Sequence, residues 1–167
     1  GGGAGARVAP RHAGQPNGER WFWGERFQER TEGVRETTAL VIQHPPGGTG
    51  APLEARRQPL RTDPAPEMAS LDMGPLNRYD HLTRENTRGF VDRLHDEMLE
   101  RGIKPELEVF NDGHLNETLA FLERADVADP PYLNLVFGGG TTSPPSPRRL
   151  LSHLDDGPAE AEGDAPG

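Results

Sequence analysis

Cysteine is absent from this chain, which excludes a disulfide framework, thiolate metal ligation and a cysteine nucleophile without locating the protein. Positive charge is in short supply. Lys and Arg number 18 against 27 Asp and Glu, for a formal net charge of −9, and such a balance disfavours binding to phosphate backbones through clustered basic groups. No nucleic-acid partner is expected. Long apolar runs are also missing: no stretch approaches the roughly 20 residues of a membrane span, so no membrane partner is expected. The segment 1–10 has one arginine and no apolar stretch, unlike a signal peptide, and the default expectation is a cytoplasmic protein.

What the chain has in plenty is Gly and Pro, 21 and 17 among 167 residues, concentrated at the ends and in loops. Residues 1–18 are mostly Gly, Ala, Pro and Arg without apolar periodicity and read as disordered or degenerate. Residues 157–167 read as an acidic disordered tail. Between them, over 19–156, short β-prone runs alternate with amphipathic stretches. Strands are predicted at Thr38–Gln43, Glu67–Asp72, Glu106–Phe110 and Tyr132–Phe137. A helix is predicted over Asn86–Arg101, with Phe90, Val91, Leu94, Met98 and Leu99 on one stripe, Gly102 as its C-terminal stop and Pro105 beyond. Leu115, Leu119 and Leu122, with Phe121 beside them, mark the next helix, and Arg148–Leu154 a shorter one. Upstream, Glu19–Glu32 carries Trp21, Phe22, Trp23 and Phe27, read as a core-facing aromatic helix rather than a base-stacking platform, because no basic groove accompanies it. Strands separated by helices imply right-handed parallel βαβ units.

Two blocks are specific enough to carry a family resemblance. Pro66-Glu67-Met68-Ala69-Ser70-Leu71-Asp72-Met73-Gly74 is followed by Gly102-Ile103-Lys104-Pro105-Glu106-Leu107-Glu108-Val109-Phe110 and Gly113-His114-Leu115. Together they resemble the β-keto acid cleavage enzymes, typified by the 3-keto-5-aminohexanoate cleavage enzyme. The resemblance implies a (β/α)8 TIM barrel of the α/β class, a zinc ion, and acyl exchange between a β-keto acid and acetyl-CoA that gives acetoacetate and a new acyl-CoA. A whole barrel takes about 250 residues, so about four central βα units are expected here. Four strands leave open edges that invite pairing, which raises the expectation of a homo-oligomer or a complementing chain.

The resemblance also assigns the residues. In the family two histidines of a His-x-His-x-Arg-Asp stretch and a late glutamate hold the zinc, leaving positions open for substrate oxygens. Aligning on Gly14-Gln15-Pro16 puts Ala6 and Val8 at the histidine positions, and a shifted alignment offers only His12, so no metal ligand is assigned and zinc is not expected on this chain. Gly47 and Gly48, in Gln43-His44-Pro45-Pro46-Gly47-Gly48, match a family loop that holds the substrate carboxylate, although Pro45 and Pro46 stand where hydroxyl residues belong. A tight Pro/Gly turn is the alternative there, and His44 reads as a loop histidine. Asn77, in Gly74-Pro75-Leu76-Asn77, matches an asparagine that donates to substrate, with a turn cap as the alternative.

Side chains alternate across a strand, so Glu67 and Ser70 face opposite ways, whereas Glu106 and Glu108 share a face. Two carboxylates inside a barrel need partners or altered pKa values. By resemblance Glu108 is the catalytic candidate and His114, at the end of the same strand, a substrate-binding one, the alternative being an incidental histidine beside a capping Asp112. Gly138, Gly139 and Gly140 close the fourth strand, and their backbone amides are the candidate contact for acetyl-CoA. The rival to the enzyme reading is a non-catalytic chain that folds only with a complementary barrel half or partner chain.

Overall fold

The computed structural model describes residues 7–8, 24–37, 39–46, 52–78, 81–138 and 142–158. Four of its parallel strands are those the apolar runs predict: β2 (Val41–His44), β3 (Met68–Asp72), β6 (Lys104–Val109) and β7 (Tyr132–Leu135). A two-residue strand, β1 (Arg7–Val8), extends the sheet to the order β1-β2-β3-β6-β7. Arg7–Val8 falls within the segment read as disordered, where no apolar run announces a strand. Two further elements carry no readable period. One is a hairpin of β4 (Asn77–Arg78) and β5 (His81–Leu82). The other is α2 (Leu53–Arg57) with the 3-10 turn Gln58–Leu60 that follows it.

The helices follow from the stripes. In α3 (Arg88–Glu100) Phe90, Val91, Leu94 and Met98 are buried, but Leu99 is 48% exposed, about a third of a turn off the face to which the pattern assigns it. The stop at Gly102 is a Schellman motif. Gly102 has φ +67°, its N–H bonds to Leu99 O at 3.1 Å, and Ile103 N–H bonds to Met98 O at 2.9 Å. In α4 (Asp112–Leu122) the buried positions are His114, Leu115, Thr118 and Phe121, so Phe121, 1% exposed, is core rather than flank. Its cap is Asn111, whose side chain accepts from His114 N–H at 3.0 Å, not Asp112. Of the aromatic helix, the structure describes α1 (Gly24–Thr37) with Phe27 buried; Trp21, Phe22 and Trp23 lie outside the described residues. The last helix, α5 (Pro147–Asp155), starts on a Ser146 cap.

One core joins these parts. Ala69 and Leu71 of β3 and Leu107 of β6 pack against Leu94 and Met98 of α3 and Phe121 of α4. That is the outer, helix-covered face of the sheet. The opposite face carries the alternate residues, Ser70 and Asp72 on β3, Glu106 and Glu108 on β6, and corresponds to the inside of a barrel.

His44 is no loop residue. It ends β2 with its side chain fully buried on the helix side, Nδ1–H donating to Pro59 O at 2.5 Å and Nε2 at 2.9 Å from Thr31 Oγ1. Burial pushes its imidazole below the ordinary value of 6.5, with the Pro59 carbonyl and Glu67 opposing. His95, edge-on to Phe121 at 4.9 Å, is lowered the same way, against Asp96, Asp92 and Asp126. A histidine with a depressed folded pKa binds its proton more readily when unfolded. Stability therefore falls as pH drops below about 6.5, and the fall stops below the folded pKa values. Melting midpoints measured from pH 8 to 5 are expected to decline over that window in the wild type, and less in His95→Gln. Equal slopes would exclude His95 as a source.

Candidate functional site

The inner face is held by a carboxylate. Glu106, 5% exposed, accepts from Gln43 Nε2 on β2, from Ser70 Oγ on β3 at 3.0 Å and from Asn134 Nδ2 on β7 at 3.1 Å. Gln43 Nε2 also lies 3.2 Å from Ser70 Oγ. Four neighbouring strands thus converge on one side chain, which answers how a carboxylate can face inward: it is paired with neutral donors. Ser70, not Glu67, is the inward residue. Glu67, just before β3, instead accepts from Ile42 N–H at 2.8 Å and pairs with Arg35 at 2.7 Å.

One pleat further toward the C-terminal strand ends, Asp72 and Glu108 sit opposite each other in register, with Asn134 opposite Glu108 on the other side. Both acids are half-buried. Parallel-strand barrels build their sites at this end, and Asp72 and Glu108 stand side by side there. Asp72 is steadied by Asn86, whose Nδ2 donates to Asp72 Oδ2 at 3.1 Å. The pattern places Asn86 inside a helix, but it precedes α3 and is 1% exposed.

The other assigned residues do not all join this surface. Gly47, Gly48, Gly139 and Gly140 lie outside the described residues. Asn77 opens β4, its side chain exposed. His114, 4% exposed, lies beneath the loop that follows β3: its Nε2 is 3.0 Å from Pro75 O, and a Cβ on Gly74 would stand 3.0 Å from that nitrogen. Its Nδ1 is buried without a hydrogen-bond partner. Gly138 takes φ +76°, a value that favours glycine, and its N–H bonds to Ser143 O at 3.0 Å, so that amide serves the loop itself. A cavity of about 240 Å³ lies between the loop after β3, the start of α3 and α4, lined by Gly74, Asn86, Thr87, Val91 and Glu117.

The described residues do not fit the zinc site that the resemblance implies. Among them no group of three His, Asp or Glu side chains is placed to hold a metal ion, and valine, at position 8, carries no donor atom. His44, His95, His114 and His153 are each packed against an aromatic ring, of Phe27, Phe121, Phe110 and Phe137. The polar groups that face inward are acids, amides and the Ser70 hydroxyl. Among the described residues no helix is long and apolar enough to cross a membrane.

A sequence profile described as "beta-keto acid cleavage enzyme" matches residues 2–163. The 3-keto-5-aminohexanoate cleavage enzyme of Fusobacterium nucleatum is 31% identical over 135 residues, covering 81% of this chain and 50% of that enzyme. That of Acetoanaerobium sticklandii is 30% identical over 162 residues, covering 95% and 58%. The chain thus spans about half the length of these relatives. Among solved structures, apo ObcA superposes with a TM-score of 0.62 at 23% identity, over 72% of this chain and 26% of that one. ObcA in ternary complex with a C4-CoA adduct and oxalate gives 0.62 at 24%. These likenesses show the fold, a partial (β/α)8 barrel. With the profile spanning nearly all of its sequence, this chain belongs to the beta-keto acid cleavage enzyme family.

Proposed function

We propose that this chain supplies a β-keto acid-binding surface of the family type, formed by the inner ends of β3, β6 and β7, and that it holds no zinc of its own. The observation that carries the reading is the side-by-side placement of Asp72 and Glu108 above the buried Glu106 cluster, at the C-terminal ends of parallel strands. Two half-buried carboxylates suit a cationic substituent on the substrate. The relatives are named for cleaving 3-keto-5-aminohexanoate, whose amino group is such a substituent. In this reading Glu108 contacts the ammonium, and the substrate carboxylate falls to the loop containing Gly47 and Gly48, to which the family resemblance assigns it. Asn77 and His114 serve that end of the site, His114 from beneath Pro75. Acetyl-CoA is the cosubstrate of the family, and the amides of Gly139 and Gly140 are its proposed contact.

Titration of 3-keto-5-aminohexanoate and acetoacetate into the purified chain, followed by NMR, tests this. The amino compound is expected to bind more tightly than acetoacetate. Glu108→Gln should weaken it about tenfold, the value of one charged hydrogen bond, and leave acetoacetate unchanged. Absence of binding by either ligand sinks the proposal. Stoichiometric zinc in the folded chain, measured by atomic emission, would overturn its metal-free part.

The second reading, a chain whose sheet is completed by a complementary barrel half or a further copy, is favoured by α5. Its Leu150, Leu151 and Leu154 are 42%, 59% and 59% exposed, an apolar face larger than scattered surface leucines make.

A further inference from the structure

Arg56 is the most deeply buried cation among the described residues, 2% exposed, and no salt bridge to a carboxylate accounts for it. Burial disfavours its charge, while Asp72 and Glu85 favour it through space. A guanidinium so far from water persists only where its donors are used. Here Nε donates to Pro46 O at 2.7 Å, Nη1 donates to Asn86 Oδ1, and the guanidinium carbon lies 4.3 Å from the centroid of the Phe90 ring. Asn86 passes the restraint on, its Nδ2 reaching Asp72 Oδ2 at 3.1 Å and Gly74 O at 3.4 Å.

One cation in α2 therefore grips the chain where it leaves β2 and, through Asn86, where it leaves β3. These are the two strand ends whose loops the proposed site uses. We infer that Arg56 is the positioning residue of the candidate site, locking Pro46 and the Asp72–Gly74 segment into one surface. The inference rests on the binding reading given above only for what that surface contacts. Lysine cannot replace it, because a planar fork reaches two acceptors in different directions whereas a single ammonium does not.

The test uses the full 167-residue chain with Arg56→Met, Arg56→Lys and Asn86→Ala. Hydrogen exchange is read at the amides of residues 73–78, with residues 91–100 of α3 as the reference, alongside the affinity for acetoacetate by NMR. Arg56→Met and Arg56→Lys should each speed exchange at 73–78 about tenfold relative to α3, as loss of a charged hydrogen bond implies. Asn86→Ala, which leaves Arg56 in place, should act on the same amides, and it carries the test if Arg56→Met does not fold. Exchange that rises equally in α3 or stays unchanged at 73–78 makes Arg56 a general stabiliser and overturns the inference. If the wild type ignores acetoacetate while the local exchange result holds, the binding reading falls and the positioning role stands. If the wild type binds acetoacetate and Arg56→Met binds it equally well, the role in the site is overturned.

Discussion

Glu106→Ala is expected to lower the unfolding free energy by about 3 kcal/mol, whereas Glu108→Ala, two residues along the same face, should change it by less than about 1 kcal/mol. The difference lies in burial: Glu108 is half-buried and its site stays in reach of water, whereas Glu106 is buried. Glu106 is 5% exposed and accepts from Gln43, Ser70 and Asn134, side chains of three other strands. A hydrogen bond to a charged group contributes roughly 1.5–3 kcal/mol, and a buried donor left without an acceptor costs about 1–3 kcal/mol. Three such losses do not add in full, because Ser70 and Asn134 are half-buried and recover some hydration. Glu106→Gln should fall between, since the amide keeps one acceptor oxygen but turns its NH2 toward donors. Urea unfolding at pH 7 checks the series. Equal midpoints for Glu106→Ala and Glu108→Ala would mean that the inner face is hydrated throughout and does not tie the strands together.

Removing Arg57 and Arg61 together is expected to cost about 3 kcal/mol, through the carboxylate they leave behind. Glu97 of α3 is 4% exposed; it accepts from Arg57 Nε and from Arg61 Nε at 2.7 Å, and forms an ion pair with Arg101 Nε at 3.3 Å. Two arms of this clamp come from α2 and the turn after it, so it fastens the segment carrying Arg56 onto α3. The arginines are roughly 30% exposed and can return to water, which is why the estimate sits at the low end for breaking a buried pair. Burial by itself would raise the Glu97 pKa, but the bonds from Arg61 and Arg57 outweigh it and hold the carboxyl below its ordinary 4.5. A depressed carboxylate pKa stabilises the fold above about pH 4.5, and that stability is lost as pH falls through the folded value. In Arg57→Ala/Arg61→Ala, where Arg101 alone stays paired with Glu97, the two bonds that lower its pKa are gone and the carboxylate contributes less stability to lose. The gap between variant and wild type should therefore narrow on acidification below pH 4.5. A gap that stays constant would show that Arg101 alone holds the carboxyl as low.

The four main strands were legible in sequence because each is a short apolar or alternating run with a turn signal after it. The α3 stop was legible because Gly102 and Pro105 are residues whose backbone preferences end helices by themselves. Leu99 went astray because i, i+4 and i+5 are all plausible on a stripe, and only the sheet behind α3 chooses among them. His44 went astray for a different reason: a polar residue beside two prolines looks like loop, and nothing local reveals that Thr31 and the Pro59 carbonyl wait for its ring.

Alternation along a single strand established that Glu106 and Glu108 share a face and that Ser70 and Glu67 do not, since the two-residue period is a property of the backbone. The α/β class and the family were likewise carried by local runs and contiguous motifs. Only the tertiary structure decided which of these acids is buried scaffold and which is presented at the strand ends, because that depends on donors from strands up to 63 positions away in sequence. The same holds for Arg56 and Asn86. Each is an ordinary polar residue in its own segment, and they become one relay only when parallel pairing brings the ends of β2 and β3 together.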